Sequence, residues 1–236
     1  MTQEQQVIET LRNQGGYATL RRLNEVMDFS KWKTKTPEAS VRKIVQISDA
    51  IFRIEPGLWG LEECKDKILQ KFKIKKGDSA SFQLFSHSYY QGLLLEIGHF
   101  RKFSTFVPAQ DRGKLFLEKK LEELSDYKDI PDFTFDSILR RAKTVDVIWF
   151  NERHMPSHFY EVEHTTDFKN SLSKFYELQD FHSSFFIVAN GHREDEFNDK
   201  ISASIFSSIQ SRVKFIPYDQ VADQHSNLAR LQSSLW

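Results

Sequence analysis

The chain has 236 residues, and its 33 Lys and Arg balance 33 Asp and Glu, which argues against a protein that coats nucleic acid by bulk electrostatics while leaving local basic contacts open. A hydrophobic fraction of 39% with 21 Phe is enough to fill one large core or two small ones. The single cysteine, Cys64, excludes an internal disulfide framework and a cysteine-rich zinc site, so a reducing compartment is expected, the cytoplasm by default.

The N-terminus "MTQEQQVIET" is polar, and no run approaches the roughly 18 apolar residues of a membrane span, so neither an export nor a membrane signal is expected. "EQQVIETLRNQGG" sets Val7, Ile8 and Leu11 at helical spacing and stops at Gly15-Gly16. "TLRRLNEVM" follows with Leu20, Leu23 and Met27 on one face. A third helix is predicted in "KTPEASVRKIVQIS", where Thr36 can cap, Pro37 can take the first helical position and Val41, Ile44 and Val45 face a core. "IFRIEPGLWGL" then reads as two short strands about Pro56-Gly57. Three helices and a β-wing form a winged helix-turn-helix, whose third helix can enter a major groove. The run "LRNQGGYATLRRL", "KTPEASVRKIV", "GLWGL" resembles the HARE-type helix-turn-helix domain over nearly all of residues 1–65. That resemblance implies DNA binding, with Lys33, Lys35, Thr36, Ser40, Arg42 and Lys43 as candidate contacts; a winged helix used for protein contacts is the other reading.

Residues 66–80, within "CKDKILQKFKIKKGDSASF", read as a basic linker to a second domain at 81–236. There a helix over "SHSYYQGLLLEIGHFRKF" leads to a strand "STFVP", and "DRGKLFLEKKLEELSDY" looks helical. Next come strands "KTVDVIWF" and "SHFYEVEHT", a helix "DFKNSLSKFYELQDF", a strand "SSFFIVAN", a helix through "REDEFNDKISASIFSSIQSR", a strand "VKFIPY" and a last helix. The pattern predicts an α/β fold with one antiparallel hairpin at the centre of its sheet.

In "FYEVEHTTDFKNSLSKFYEL" two glutamates interrupt a strand that is apolar on both faces, so a solvated strand face explains them poorly. Strand alternation puts Phe159, Glu161 and Glu163 on one face and Tyr160, Val162 and His164 on the other. With a hairpin loop "NERHMP", Phe150 faces Ser157 and Asp146 faces Glu161. Like charges at such a cross-strand distance, about 4.5–5.5 Å at Cβ, need a compensator. A hard divalent cation is one and a shared proton is the rival.

"VDVIWF" with "FYEVEHTTDF" resembles the PD-(D/E)xK, restriction-endonuclease-like nucleases over about residues 85–217. The resemblance implies a mixed sheet flanked by helices, Mg²⁺ (Mn²⁺ as a substitute) held by Asp146 and Glu161, and phosphodiester hydrolysis. Glu163 stands where lysine is usual, an E-x-E variant, and would act as general base or outer metal ligand. Glu96 takes the place of the upstream helix acid, and Lys169 and Lys174 are candidate replacements for the lysine. Together the two resemblances imply a sequence- or modification-selective endonuclease on double-stranded DNA. A catalytically inactive DNA-binding regulator or modified-base reader is the alternative, and an RNA nuclease a third. Double-strand cutting needs two active sites or two visits, for which a homodimer is one arrangement. His154 and His158 read as loop histidines because Pro156 separates them, and His164 as a structural hydrogen-bonding group, with a DNA contact as the second reading. Neither a phosphate-binding glycine loop nor a nucleophilic serine or cysteine motif occurs.

Overall fold

The computed structural model describes residues 1–233, with side chains to Leu228, and its contacts divide the chain into two units, residues 1–82 with those from Ala222 on, and Gln83–Val221. In the first, a capping box starts α1 (Gln3–Asn13): the Thr2 hydroxyl accepts from the Gln5 N–H and the Gln5 side chain accepts from the Thr2 N–H. Then come β1 (Tyr17–Thr19), α2 (Leu20–Val26), α3 (Pro37–Ile47), β2 (Ile51–Glu55), β3 (Leu58–Leu61) and α4 (Lys65–Lys71). The strands form an antiparallel sheet in the order β1-β3-β2. Val7, Leu11, Leu23, Val41, Val45 and Leu61 meet in its core.

Two details of this unit differ from expectation. Thr36 precedes α3 but makes no capping bond, because its ψ of 71° lies outside the extended range that aims a hydroxyl at the first turn; Pro37 does take the first helical position. The basic segment after Cys64 is not extended throughout: Lys65–Lys71 form α4, which buries Ile68.

The second unit contributes α5 (Ser79–Phe100) from Gln83 on, β4 (Ser104–Phe106), β5 (Leu115–Phe116), β6 (Lys119–Lys120), α6 (Leu121–Leu124), α7 (Asp136–Ala142), β7 (Val147–Phe150), β8 (Pro156–Glu163), α8 (Lys169–Glu177), β9 (Ser184–Ala189), α9 (Glu194–Ile201), β10 (Val213–Pro217) and the start of α10 (Tyr218–Ser233). It is a mixed α/β unit whose five-stranded sheet has the order β10-β9-β8-β7-β4. Strand β8 lies at the centre, antiparallel to β7 and parallel to β9. One face carries Ile148, Phe150, Phe159, Phe185 and Ile187 against Leu139 of α7, Leu172 and Phe175 of α8 and Phe197 of α9. On the other face the Trp149 indole N–H donates to the Leu94 carbonyl of α5 at 3.1 Å. A Cβ at Gly98 would lie 2.8 Å from that indole nitrogen, so the close approach requires glycine. Cover on both faces is why β7 and most of β8 are buried along their length.

The hairpin register pairs Val147 with Tyr160 and Ile148 with Phe159, and one further step sets Asp146 opposite Glu161. At the loop end an irregularity pairs Phe150 with Pro156 instead of Ser157. "DRGKLFLEKKLEELSDY" is no helix: β5 and β6 pair as a small hairpin whose turn puts Leu117 at φ 55°, leaving only the four residues of α6. The helix after Arg193 ends at Ile201, well before Arg212. His158 is not a loop residue but lies in β8, with its ring among Trp149, Phe103 and Phe186.

Candidate active site

Asp146 sits just before β7, and its Oδ2 accepts from the Val162 N–H at 2.7 Å. That bond ties the acid to the neighbouring strand and leaves Oδ1 facing His87 Nε2 at 3.5 Å. Glu161 is 2% exposed. Lys174 of α8 donates to its Oε1 at 2.9 Å and Oε2 at 2.8 Å, and to the Thr144 carbonyl at 2.9 Å. Glu163, next on the same strand face, accepts from the hydroxyls of Ser171 and Thr166, and the Ser171 hydroxyl also lies 3.2 Å from Glu161 Oε2. Three acids predicted from alternation thus gather at one end of the β7–β8 pair, with one ammonium among them.

Burial dominates the electrostatics. It raises the Glu161 carboxyl well above the usual range, with Asp146 adding repulsion and Lys174 opposing both. Burial lifts Glu163 to about 7, held back by Ser171 and pushed further by Asp146. Lys174 is raised because its bonds to Glu161 outweigh the cost of burying it.

A second group adjoins the first through Asp146. His87 and Gln91 stand four residues apart on α5 and so share a face. The Gln91 amide donates to Asp111 Oδ2 at 2.7 Å and to the Asp146 carbonyl at 3.2 Å. Asp111, 3% exposed, takes Lys114 Nζ at 2.5 Å on its other oxygen, and its Oδ2 is 3.7 Å from His87 Nε2. Burial alone would lower the His87 pKa, but Asp146 and Asp111 overcome it and raise it to about 10. Burial would raise Asp111, but bonds from His87, Lys114 and Gln91 outweigh it and hold its carboxyl far below the usual range. His164 is held down to about 4 by burial and by His87, and the Tyr218 hydroxyl bonds its Nδ1 at 2.8 Å. Among the described residues, the ligating atoms of His87, Asp111 and Asp146 all lie within 4.8 Å of one another, close enough to hold one ion.

Of the other predicted residues, Lys169 is exposed at the start of α8, five residues before Lys174 and so about 140° around the helix from it. Glu96 is partly buried on α5, five residues beyond Gln91 and so about 140° around the helix from it. In the first unit Lys33, Lys35, Thr36 and Lys43 are exposed; Ser40 is partly buried and its hydroxyl faces the Thr36 carbonyl at 3.4 Å. Arg42 is also partly buried and pairs with Asp223. His87, Gln91, Asp111 and Ser171 were not predicted from sequence. The one available signal for the first two was a polar pair four residues apart in a helix otherwise apolar on most sides.

Residues 70–233 match the family described as the type II restriction enzyme NmeDI C-terminal domain. The type II restriction enzyme NmeDI of Neisseria meningitidis serogroup C is 24% identical over 150 residues, which are 59% of this chain and 42% of that protein. The chain therefore spans less than half the length of that relative. No solved structure gives a significant match. The matched region takes in the whole five-stranded sheet and every acid just described, and the chain belongs to the type II restriction enzyme NmeDI C-terminal domain family.

Proposed function

We propose that this chain is a Mg²⁺-dependent DNA endonuclease of restriction type whose cutting unit is Gln83–Val221. The observation that carries the reading is the gathering of Asp146, Glu161 and Glu163 around Lys174 at one end of the central strands. Three antiparallel strands β4-β7-β8, then α8, then a parallel β9 also support the PD-(D/E)xK resemblance, as does the family match.

Asp146 Oδ1 is uncommitted to the backbone and suits a hard cation, while Glu161, the next acid across the strand pair, is held by Lys174 and would reach such an ion as an outer ligand. When bound, such an ion stabilises the charge that builds on the scissile phosphate and lowers the pKa of a water toward neutrality. Lys174, fixed by Glu161 and the Thr144 carbonyl, takes the place of the motif lysine: it offsets charge near the phosphate and orients the attacking water. Glu163 serves as general base or as an outer ligand, its position set by Ser171 and Thr166. A cleft of about 570 Å³ adjoins Asp111 along the chain; its lining includes Arg112 and Lys128, which suit a polyanionic backbone, and a Lys143 already paired with Asp129.

The first unit, in this reading, is the winged helix that selects the site on double-stranded DNA. Its helix-strand-helix-helix-hairpin order and the exposed Lys33, Lys35 and Lys43 around α3 support that role. A homodimer is the assembly that would supply two active sites for a double-strand cut.

Plasmid and linear DNA incubated with the chain and Mg²⁺ should be cut, and Asp146→Asn or Glu161→Gln should abolish cutting with the circular dichroism spectrum unchanged. Normal cutting by both variants would refute the site. One observation favours a second reading, a DNA-binding regulator or modified-base reader: Glu163 stands where the motif lysine is usual. Tight DNA binding with no Mg²⁺ or Mn²⁺ taken up would favour it.

A further inference from the structure

We propose that His87, Asp111 and Asp146 form a mixed nitrogen–oxygen cation site that takes a first-row transition-metal dication such as Mn²⁺ in preference to Mg²⁺. The inference deepens the nuclease reading and rests on it for what the ion is used for; binding itself is tested without DNA. The geometry is specific. Asp146 commits Oδ2 to the Val162 N–H and presents Oδ1 to His87 Nε2 at 3.5 Å. Asp111 commits Oδ1 to Lys114 and presents Oδ2 to the same nitrogen at 3.7 Å. Each carboxylate is thus anchored by one oxygen while the other, shared in Asp111 with the Gln91 amide, faces a common centre, the arrangement in which neighbouring groups fix a ligand's orientation.

A second, independent observation lies beside the same centre. Gln91 is fully buried, and its amide nitrogen bonds Asp111 Oδ2 and the Asp146 carbonyl, yet its Oε1 is buried with no partner. Turning the amide over would set an oxygen against the Asp111 carboxylate, so this orientation is enforced. A buried amide oxygen within one side chain of two carboxylates and an imidazole is a further hard donor, to the ion or to a water upon it. Binding an ion requires the imidazole to give up any proton on its ligating nitrogen, and that proton leaves to solvent.

Ligand chemistry sets the preference. Mg²⁺ favours oxygen donors, retains its waters and rarely recruits imidazole, whereas a nitrogen donor raises affinity for ions later in the first transition row. Glu161 belongs outside this shell because Lys174 holds both of its oxygens.

The full chain, freed of metal with chelator and titrated with Mn²⁺ in the absence of DNA, should bind one ion whose pulsed electron paramagnetic resonance shows coupling to an imidazole nitrogen. His87→Gln should erase that coupling, and His87→Gln and Asp111→Asn should each weaken Mn²⁺ binding by about tenfold or more. Glu161→Gln should change it by less than about threefold, and Mg²⁺ at equal concentration should leave most Mn²⁺ bound. The proposal is overturned by no Mn²⁺ binding, by binding without nitrogen coupling, or by a Glu161→Gln loss equal to that of Asp111→Asn. Unchanged circular dichroism excludes misfolding. An ion bound as described with DNA left uncut would sink the nuclease reading and keep the site.

Discussion

Lys174→Met isolates the central ion pair. In the native chain the Lys174 side chain is 13% exposed and that of Glu161 3%, and three acceptors surround the ammonium at 2.8–2.9 Å. Methionine keeps most of the stem's volume and removes the charge, so the loss falls mainly on Glu161, left as an unpaired carboxylate beside Asp146. Breaking one side of a buried pair costs about 3–5 kcal/mol. For a unit of this size that is a fall in melting temperature of roughly 6–20 °C.

The cost depends on pH. The folded pKa of Glu161 is already above its unfolded value, and losing the ammonium raises it further. Between the two values the folded state binds more protons, so stability there falls as pH rises. The variant should therefore be least stable relative to wild type at pH 9, above the value of about 8 that Glu161 has in the folded wild type, and recover toward pH 6. Glu161→Gln introduced into Lys174→Met should restore at least about 2 kcal/mol, because the partner no longer carries a charge. Urea unfolding of the four proteins in chelator, at both pH values, measures the coupling. A Lys174→Met loss under about 1 kcal/mol, or a loss that Glu161→Gln fails to relieve, would refute the premise that this pair is shut away from water.

Gly92→Ala should destabilise by about 1–3 kcal/mol, because the added methyl meets the Phe116 ring, and Phe116→Leu in the same chain should recover part of it in thermal melts. His158 is held neutral to about 4 by burial and by Arg101. The unfolded chain binds its proton first as pH falls from 6.5, so wild type should lose stability between pH 6.5 and 4; His158→Phe should flatten that limb, and parallel pH–stability curves would dismiss the idea. Replacing Lys33, Lys35 and Lys43 by alanine should lower the slope of log affinity against log salt by about one per lost phosphate contact. Arg42→Ala should matter less, since Asp223 already holds that guanidinium; an equal loss from Arg42 alone would overturn this ranking.

Period two was enough to read the acids. Alternation along β8 and the hairpin register bring Asp146 to Glu161, because both depend on nearby residues and on strand geometry. The same local reasoning fails at Asp111, which lies in a loop where no period applies and whose partners are 20 and 24 residues earlier on α5. Charge density misled the reading of "GKLFLEKKLEEL": the alternating charges suit a helix, but Leu117 adopts a positive φ and the segment folds back as β5 and β6. His158 was assigned to a loop on the strength of Pro156, yet proline opens β8 at its first residue, where its missing N–H is tolerated.

Trp149, Leu94 and Gly98 also bear on how sequences of this kind can vary. The indole spans from strand β7 to the carbonyl of Leu94, and the space it fills is the one a side chain at position 98 would need. Neither residue is free to change alone: a methyl at 98 evicts the ring, and a smaller residue at 149 leaves a hole and frees a carbonyl. Variation at the two sites is therefore expected to be paired, a larger residue on the helix arriving with a smaller one on the strand. In natural sequences that share this helix-on-strand packing, such an exchange would mark a chain that has kept the docking of α5 while redrawing the surface through which it docks.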